Sequence, residues 1–198
     1  MNASEPFLSA DDLACRRGDR ILFAGLSLRI GAGQALHLAG ANGIGKSSLM
    51  RILAGLMRPY AGSVGRSGAL ALLDERPALD THLPLGRALA FWGRVDRVPR
   101  ERLDVVAKNA GLGDLLDVPV RYLSTGQRKR AALARTIAQA SPIWLLDEPL
   151  NGLDAASVAM VERLVVRHCA DGGLCVLASH QPVAVPELER LDLADFAR

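Results

Sequence analysis

Gly40-Ala41-Asn42-Gly43-Ile44-Gly45-Lys46-Ser47 fits the pattern G-x-x-x-x-G-K-[ST], follows the apolar run Ala35 to Ala39, and leads into the helix-like stretch Ser48 to Leu56. A strand, a glycine-rich turn and a helix in that order make a phosphate-binding loop. The glycines let backbone N–H groups turn inward around an anion, and the following helix aims its positive end at the same place. Lys46 adds a mobile full charge, and the Ser47 hydroxyl suits Mg²⁺. An ordinary glycine-rich turn would lack the flanking strand and helix. The segment therefore predicts a nucleoside triphosphate held by Gly40, Ala41, Asn42, Gly43, Ile44, Gly45, Lys46, Ser47 and Ser48.

Composition sets the bounds around this loop. With 198 residues, 49% of them hydrophobic, and a net charge of +3, the chain can bury a substantial core; length alone favours one domain or two small lobes, and the motifs along it are read as one domain over residues 1–198. The basic residues are scattered. Arg128-Lys129-Arg130 and Arg16-Arg17 are locally dense, and both read as solvated helix faces. Cys15, Cys169 and Cys175 show neither C-x-x-C spacing nor an even count, which supports neither a disulfide framework nor a zinc site and fits a reducing cytoplasm. The N-terminus has no basic-then-apolar signal pattern, and no apolar run approaches the ~18 residues that cross a bilayer. A membrane role would need a partner.

Upstream of the loop, Ile21 to Phe23 and Leu26 to Ile30 read as short strands separated at Ala24-Gly25, with a further break at Gly31-Ala32-Gly33. The helix from Lys46 places Leu49, Ile52, Leu53 and Leu56 on one face and is expected to stop before Pro59. A strand follows at Ala69 to Leu73. From Leu85 to Tyr122 the periodicity is helical, with Leu89 and Trp92, then a start at Pro99 followed by Leu103, Val106 and Ala110, and a break over Gly111 to Asp117. This 85–122 stretch reads as a helical insertion in a mainly parallel α/β core. The second half then repeats helix, turn and apolar strand twice. Ile143 to Leu146 delivers Asp147 and Glu148, and Leu174 to Ala178 delivers Ser179 and His180, at the strand ends where open α/β sheets place their sites.

Ile143-Trp144-Leu145-Leu146-Asp147-Glu148-Pro149 has the form of a Walker B strand. Asp147 is then the carboxylate that holds Mg²⁺, and Glu148 is placed to accept a proton from the water that attacks the γ-phosphate. A surface Asp-Glu pair before a proline would not follow four apolar residues directly. Leu123-Ser124-Thr125-Gly126-Gln127 opens the next helix, and Ser124 with Gln127 has capping-box spacing. The same helix N-terminus also suits a second anion, and the two readings are compatible.

The ordered set of phosphate loop, LSTGQ, LLDEP, NGLD at Asn151 to Asp154, and His180 resembles the nucleotide-binding subunit of ABC transporters over most of the chain. That resemblance implies an α/β P-loop NTPase fold of the ABC ATPase type, with a small antiparallel β subdomain at the N-terminus. It also implies ATP and Mg²⁺ as cofactors and a head-to-tail homodimer in which Ser124, Gly126 and Gln127 of one subunit complete the ATP site of the other. Asp154 would lie at the dimer seam, and His180 would contact the γ-phosphate and hold Glu148 and the water in line. Within the family, Leu13 to Gly18 with Ile21 to Phe23, then Leu53 to Leu56, Leu123 to Arg135 and Ser179 to Pro182 are similar to the ATPase of the haem exporter of cytochrome c maturation. Family membership implies integral membrane permease subunits of a haem-handling complex and a peripheral place on the cytoplasmic face of the bacterial inner membrane. The alternatives are the ATPase of another ABC transporter, or a soluble ABC ATPase acting on nucleic acid or ribosomes. A net charge of +3 without a basic stripe argues against nucleic acid.

Two positions depart from the family pattern. Its glutamine between the phosphate loop and the insertion is absent from Asn42 to Gly126, and Arg76 stands in that place, where a guanidinium cannot ligate a cation. Arg76 is either a salt-bridged surface residue or a coupling residue. The family's adenine-stacking aromatic is replaced by Arg17, which can itself stack on a base.

Overall fold

The computed structural model describes residues 5–74 and 78–198. Arg76 lies outside the described residues. Near the N-terminus, β1 (Phe7–Arg17) pairs antiparallel with β2 (Arg20–Gly31) on one edge and with β4 (Ala61–Ser67) on the other. The break expected at Ala24-Gly25 does not divide β2. Leu13 pairs with Leu26 and Cys15 with Phe23, so two residues of β2 face the single Ala14 of β1. That is a β-bulge, which Gly25 accommodates at φ 77. The bulge keeps Phe23 and Leu26, both fully buried, on the inward face.

The second sheet has the order β5 (Leu70–Leu73), β6 (Ile143–Asp147), β7 (Leu174–Ala178), β3 (Ala35–Ala39) and β8 (Glu189–Asp192), and every pairing in it is parallel. The runs of β3, β6 and β7 are buried on both sides, as strands covered on two faces must be. Successive side chains serve different cores. Leu36, Leu38, Leu145 and Val176 pack with Leu49, Ile52 and Leu53 of α1 (Lys46–Leu53) and with Leu13 and Phe23 of the small sheet. Trp144, Leu146, Cys175 and Leu177 pack on the other side against Leu133 of α4 (Thr125–Ala138) and Val161 and Val165 of α5 (Ala155–Ala170). A third cluster joins Leu85 and Leu89 of α2 (Leu85–Val95), Ala107 of α3 (Arg100–Asn109) and Ala131 and Ala134 of α4.

Two expectations are corrected. Helix α1 stops before Pro59 as expected, but at Leu53 and not Leu56, because Gly55 at φ 76 closes it with the paired bonds Leu56 N–H to Arg51 O (2.8 Å) and Gly55 N–H to Ile52 O (2.9 Å). Leu56 is consequently 69% exposed and not part of the buried face. The basic clusters are not solvated helix faces: Arg16 and Arg17 end strand β1, and Lys129, between Arg128 and Arg130, is 5% exposed inside α4. Strands β4 and β8 were not anticipated. Ala61–Ser67 is glycine-containing and half exposed, and Glu189–Asp192 is a short charged edge, so neither carries an apolar alternation.

Candidate functional site

The phosphate loop leaves the C-terminal end of β3 and enters α1 at Lys46. Gly45 sits at φ 121, and a Cβ there would come within 3.3 Å of Phe23 Cδ1 and 3.4 Å of Leu22. The loop thus rests directly on the small sheet, where a Cβ would be crowded and the positive φ favours glycine. Lys46 folds back over the loop: its Nζ donates to the carbonyls of Gly40 (2.8 Å) and Ala41 (3.3 Å) and lies 3.2 Å from Glu148 Oε1.

The C-terminal ends of β6 and β7 supply the facing groups. Asp147 is 1% exposed and Glu148 is 6% exposed. Glu148 adopts φ 48, a left-handed conformation unusual for a side-chain-bearing residue, and its N–H donates to Ala178 O at 2.9 Å. Beyond β7, buried Ser179 donates its N–H to Leu38 O (3.2 Å) and accepts from the Gln181 N–H through Oγ (2.9 Å), which fixes the turn that carries His180. His180 Nδ1 then lies 3.1 Å from Glu148 Oε2. One carboxylate therefore bridges a lysine from the loop and a histidine from the next strand.

A cleft of 560 Å³ opens beside this cluster, lined among others by Arg17, Asn42, Ser47, Ser48, Glu148 and Asn151. Arg17 reaches it from the end of β1 and touches Met57 Sδ at 3.8 Å. Behind the cleft, burial pushes the Cys15 thiol up from its ordinary pKa, opposed by the Ser48 hydroxyl and the Arg17 charge. Gly40, Ala41 and His180 line a neighbouring cavity of 610 Å³. The donor set fits magnesium: the Ser47 hydroxyl and the Asp147 carboxylate are hard oxygen donors, and such an ion takes its remaining ligands from water and phosphate.

Ser124, Gly126, Gln127 and Asp154 are not among the residues lining the cleft. Ser124 caps α4 through a complete capping box: its Oγ accepts from the Gln127 N–H (3.1 Å) and its N–H donates to Gln127 Oε1 (2.8 Å). Gly126 faces the next loop, where a Cβ would lie 3.4 Å from Gly152 O. Asp154 caps α5 by accepting from the Ser157 N–H at 2.8 Å, and the Ser157 hydroxyl and amide hold its carboxyl below the usual carboxylate pKa. Both helix N-termini are therefore preformed, and neither lines the cleft of its own chain.

Two contacts were not legible beforehand. Lys129 Nζ donates to the main-chain carbonyl of Glu148. Arg51, one turn into α1, grips Asp74 at the end of β5 with Nε and Nη2 at 3.0–3.3 Å. Position 129 lies two residues past the capping box, just ahead of the buried Ala131 and Ala132, so its place in α4 is the one sequence signal of a buried lysine. Nothing in the local sequence pairs Arg51 with Asp74.

Comparisons with known proteins identify the family of the chain. The family description "ABC transporter" matches residues 23–151. A protein named cytochrome c biogenesis ATP-binding export protein CcmA from Novosphingobium aromaticivorans is 61% identical over 189 residues, covering 96% of both chains. Its namesake from Sphingopyxis alaskensis is 53% identical over 96% of this chain and 98% of its own. An ABC transporter ATP-binding protein from Pyrococcus furiosus superposes with a TM-score of 0.84 over 97% of this chain and 100% of its own, at 19% identity, a likeness of fold alone.

Proposed function

Because the chain belongs to the ABC transporter family, and within it to the cytochrome c biogenesis ATP-binding export proteins, we propose that it drives a haem-handling membrane complex by hydrolysing ATP at a dimer seam. ATP is the nucleotide of the family. No described helix is long and apolar enough to cross a membrane, so the chain would act through permease subunits, at the cytoplasmic face of the inner membrane.

The observation that carries the reading is the bridging of Glu148 between Lys46 and His180 at the mouth of the loop. When the nucleotide enters, Lys46 exchanges Glu148 and the loop carbonyls for phosphate oxygens. Glu148, released from that pair, accepts the proton of the attacking water, while His180 keeps the carboxylate oriented through its Nδ1 contact. Mg²⁺, held by Ser47 and Asp147, would neutralise charge on the phosphates. The N-terminal turn of α4 from a second copy, with Ser124, Gly126 and Gln127, turns the positive end of its helix to the γ-phosphate, its capping box holding Ser124 and Gln127 in place. Its place outside the chain's own cleft supports a site completed in trans.

The test is genetic and biochemical. In the host, loss of this chain should abolish mature c-type cytochromes, and the wild-type chain but not Glu148→Gln should restore them. Restoration by Glu148→Gln would remove hydrolysis at Glu148 from the account, and normal c-type cytochromes without the chain would remove the haem pathway.

A further inference from the structure

Lys129 lies in the second turn of α4, two residues past Gln127, and is 5% exposed. Its Nζ donates to the main-chain carbonyl of Glu148, a carbonyl that also receives the Asn151 N–H at a long 3.4 Å. Glu148 needs such support. A side-chain-bearing residue at φ 48 persists where its surroundings over-determine it, and every polar group of Glu148 is engaged. The N–H is bound to Ala178 O, the carboxylate faces Lys46 and His180, and the carbonyl is taken by Lys129.

We propose that Lys129 is a positioning residue that fixes the backbone of Glu148 and so sets the aim of its carboxylate from the N-terminal turns of α4. The further consequence rests on the dimer reading above. The turn holding Ser124, Gly126 and Gln127 serves one ATP site and Glu148 serves the other, and Lys129 joins them by a single side chain. Capture of a γ-phosphate at one site is thereby transmitted to the general base of the second.

The experiment measures ATP hydrolysis by the full chain carrying Lys129→Met, which matches the length without charge, or Lys129→Gln, which keeps a donor. Lys129→Met should lower kcat about 10- to 100-fold, the factor of one charge-assisted hydrogen bond, with KM for ATP unchanged. Lys129→Gln should recover part of the loss. In the Glu148→Gln background, adding Lys129→Met should leave ATP-driven association intact. An unchanged kcat overturns the proposal, as does a fall in kcat accompanied by an equal rise in KM or by lost association, which is the signature of general disruption. If Lys129→Met does not fold, Lys129→Gln decides by the same kcat and KM split, wild-type kcat overturning the proposal. Failure of Glu148→Gln alone to associate counts against the dimer reading and leaves the kcat result on Glu148 positioning standing.

Discussion

Replacing Glu148 by glutamine should tighten nucleotide binding, because the carboxylate competes with phosphate for Lys46. The two charges lie 3.2 Å apart with side chains 5% and 8% exposed. At an effective dielectric constant of about 20, Coulomb attraction at that distance is about 5 kcal/mol. Much of it is offset, since Lys46 also donates to the Gly40 and Ala41 carbonyls and the new amide oxygen still accepts a hydrogen bond. A net competition of about 1–3 kcal/mol remains, the range for a hydrogen bond to a charged group or an unsatisfied buried one. Removing it should lower Kd by about 5- to 150-fold. ADP is the right probe, because it avoids turnover and any association that depends on the γ-phosphate. Calorimetric titration of the wild type and Glu148→Gln with ADP and Mg²⁺ reads the difference directly. The nucleotide-free variant, left with a buried lysine facing no anion, should also gain more melting temperature from ADP than the wild type does. Equal or weaker ADP binding by Glu148→Gln would refute the competition.

Gly45→Ala should weaken ATP binding and lower stability by about 1–3 kcal/mol, since φ 121 strains any side-chain-bearing residue and the 3.3 Å approach to Phe23 crowds its Cβ; a folded variant with wild-type ATP affinity would contradict this. His168 stacks on Trp144 at 3.9 Å between centroids and donates to carbonyls at 3.1 and 3.2 Å, and burial holds its pKa below the usual 6.5. The unfolded chain therefore takes up that proton first, and folding stability should fall as pH drops from about 6.5 towards the folded-state pKa, a limb that His168→Gln should flatten in pH-dependent chemical denaturation. Arg76→Gln should change turnover stimulated by the membrane subunits more than basal hydrolysis, and equal effects on both would contradict a coupling role.

The local sequence announced the parts of this protein whose physics is local. The phosphate loop needs glycines at fixed offsets, the α4 capping box needs Ser124 and Gln127 three residues apart, and β6 and β7 are continuous apolar runs that end in polar residues. What stayed hidden depends on partners far along the chain. The Ala24-Gly25 pair looked like a strand end because the Ala14 that makes it a bulge lies on another strand. Leu56 fitted the apolar face of α1, but Gly55 ends the helix before it through bonds that periodicity does not register. Edge strands β4 and β8 are defined by pairing with β1 and β3, not by their own composition. Lys129, between two arginines, reads as a solvated charge, yet it is buried with its Nζ donating to the carbonyl of Glu148, 19 residues away. In each case the missing signal was a tertiary contact that overrides a local pattern.

Hydrolysis of ATP by Glu148 at a site completed by a second copy is tested most directly by sedimentation of the full chain carrying Glu148→Gln. With ATP and Mg²⁺ the variant should sediment at twice the 21.1 kDa of the chain, and with ADP as a monomer. A monomer at ATP concentrations that saturate the site would contradict it.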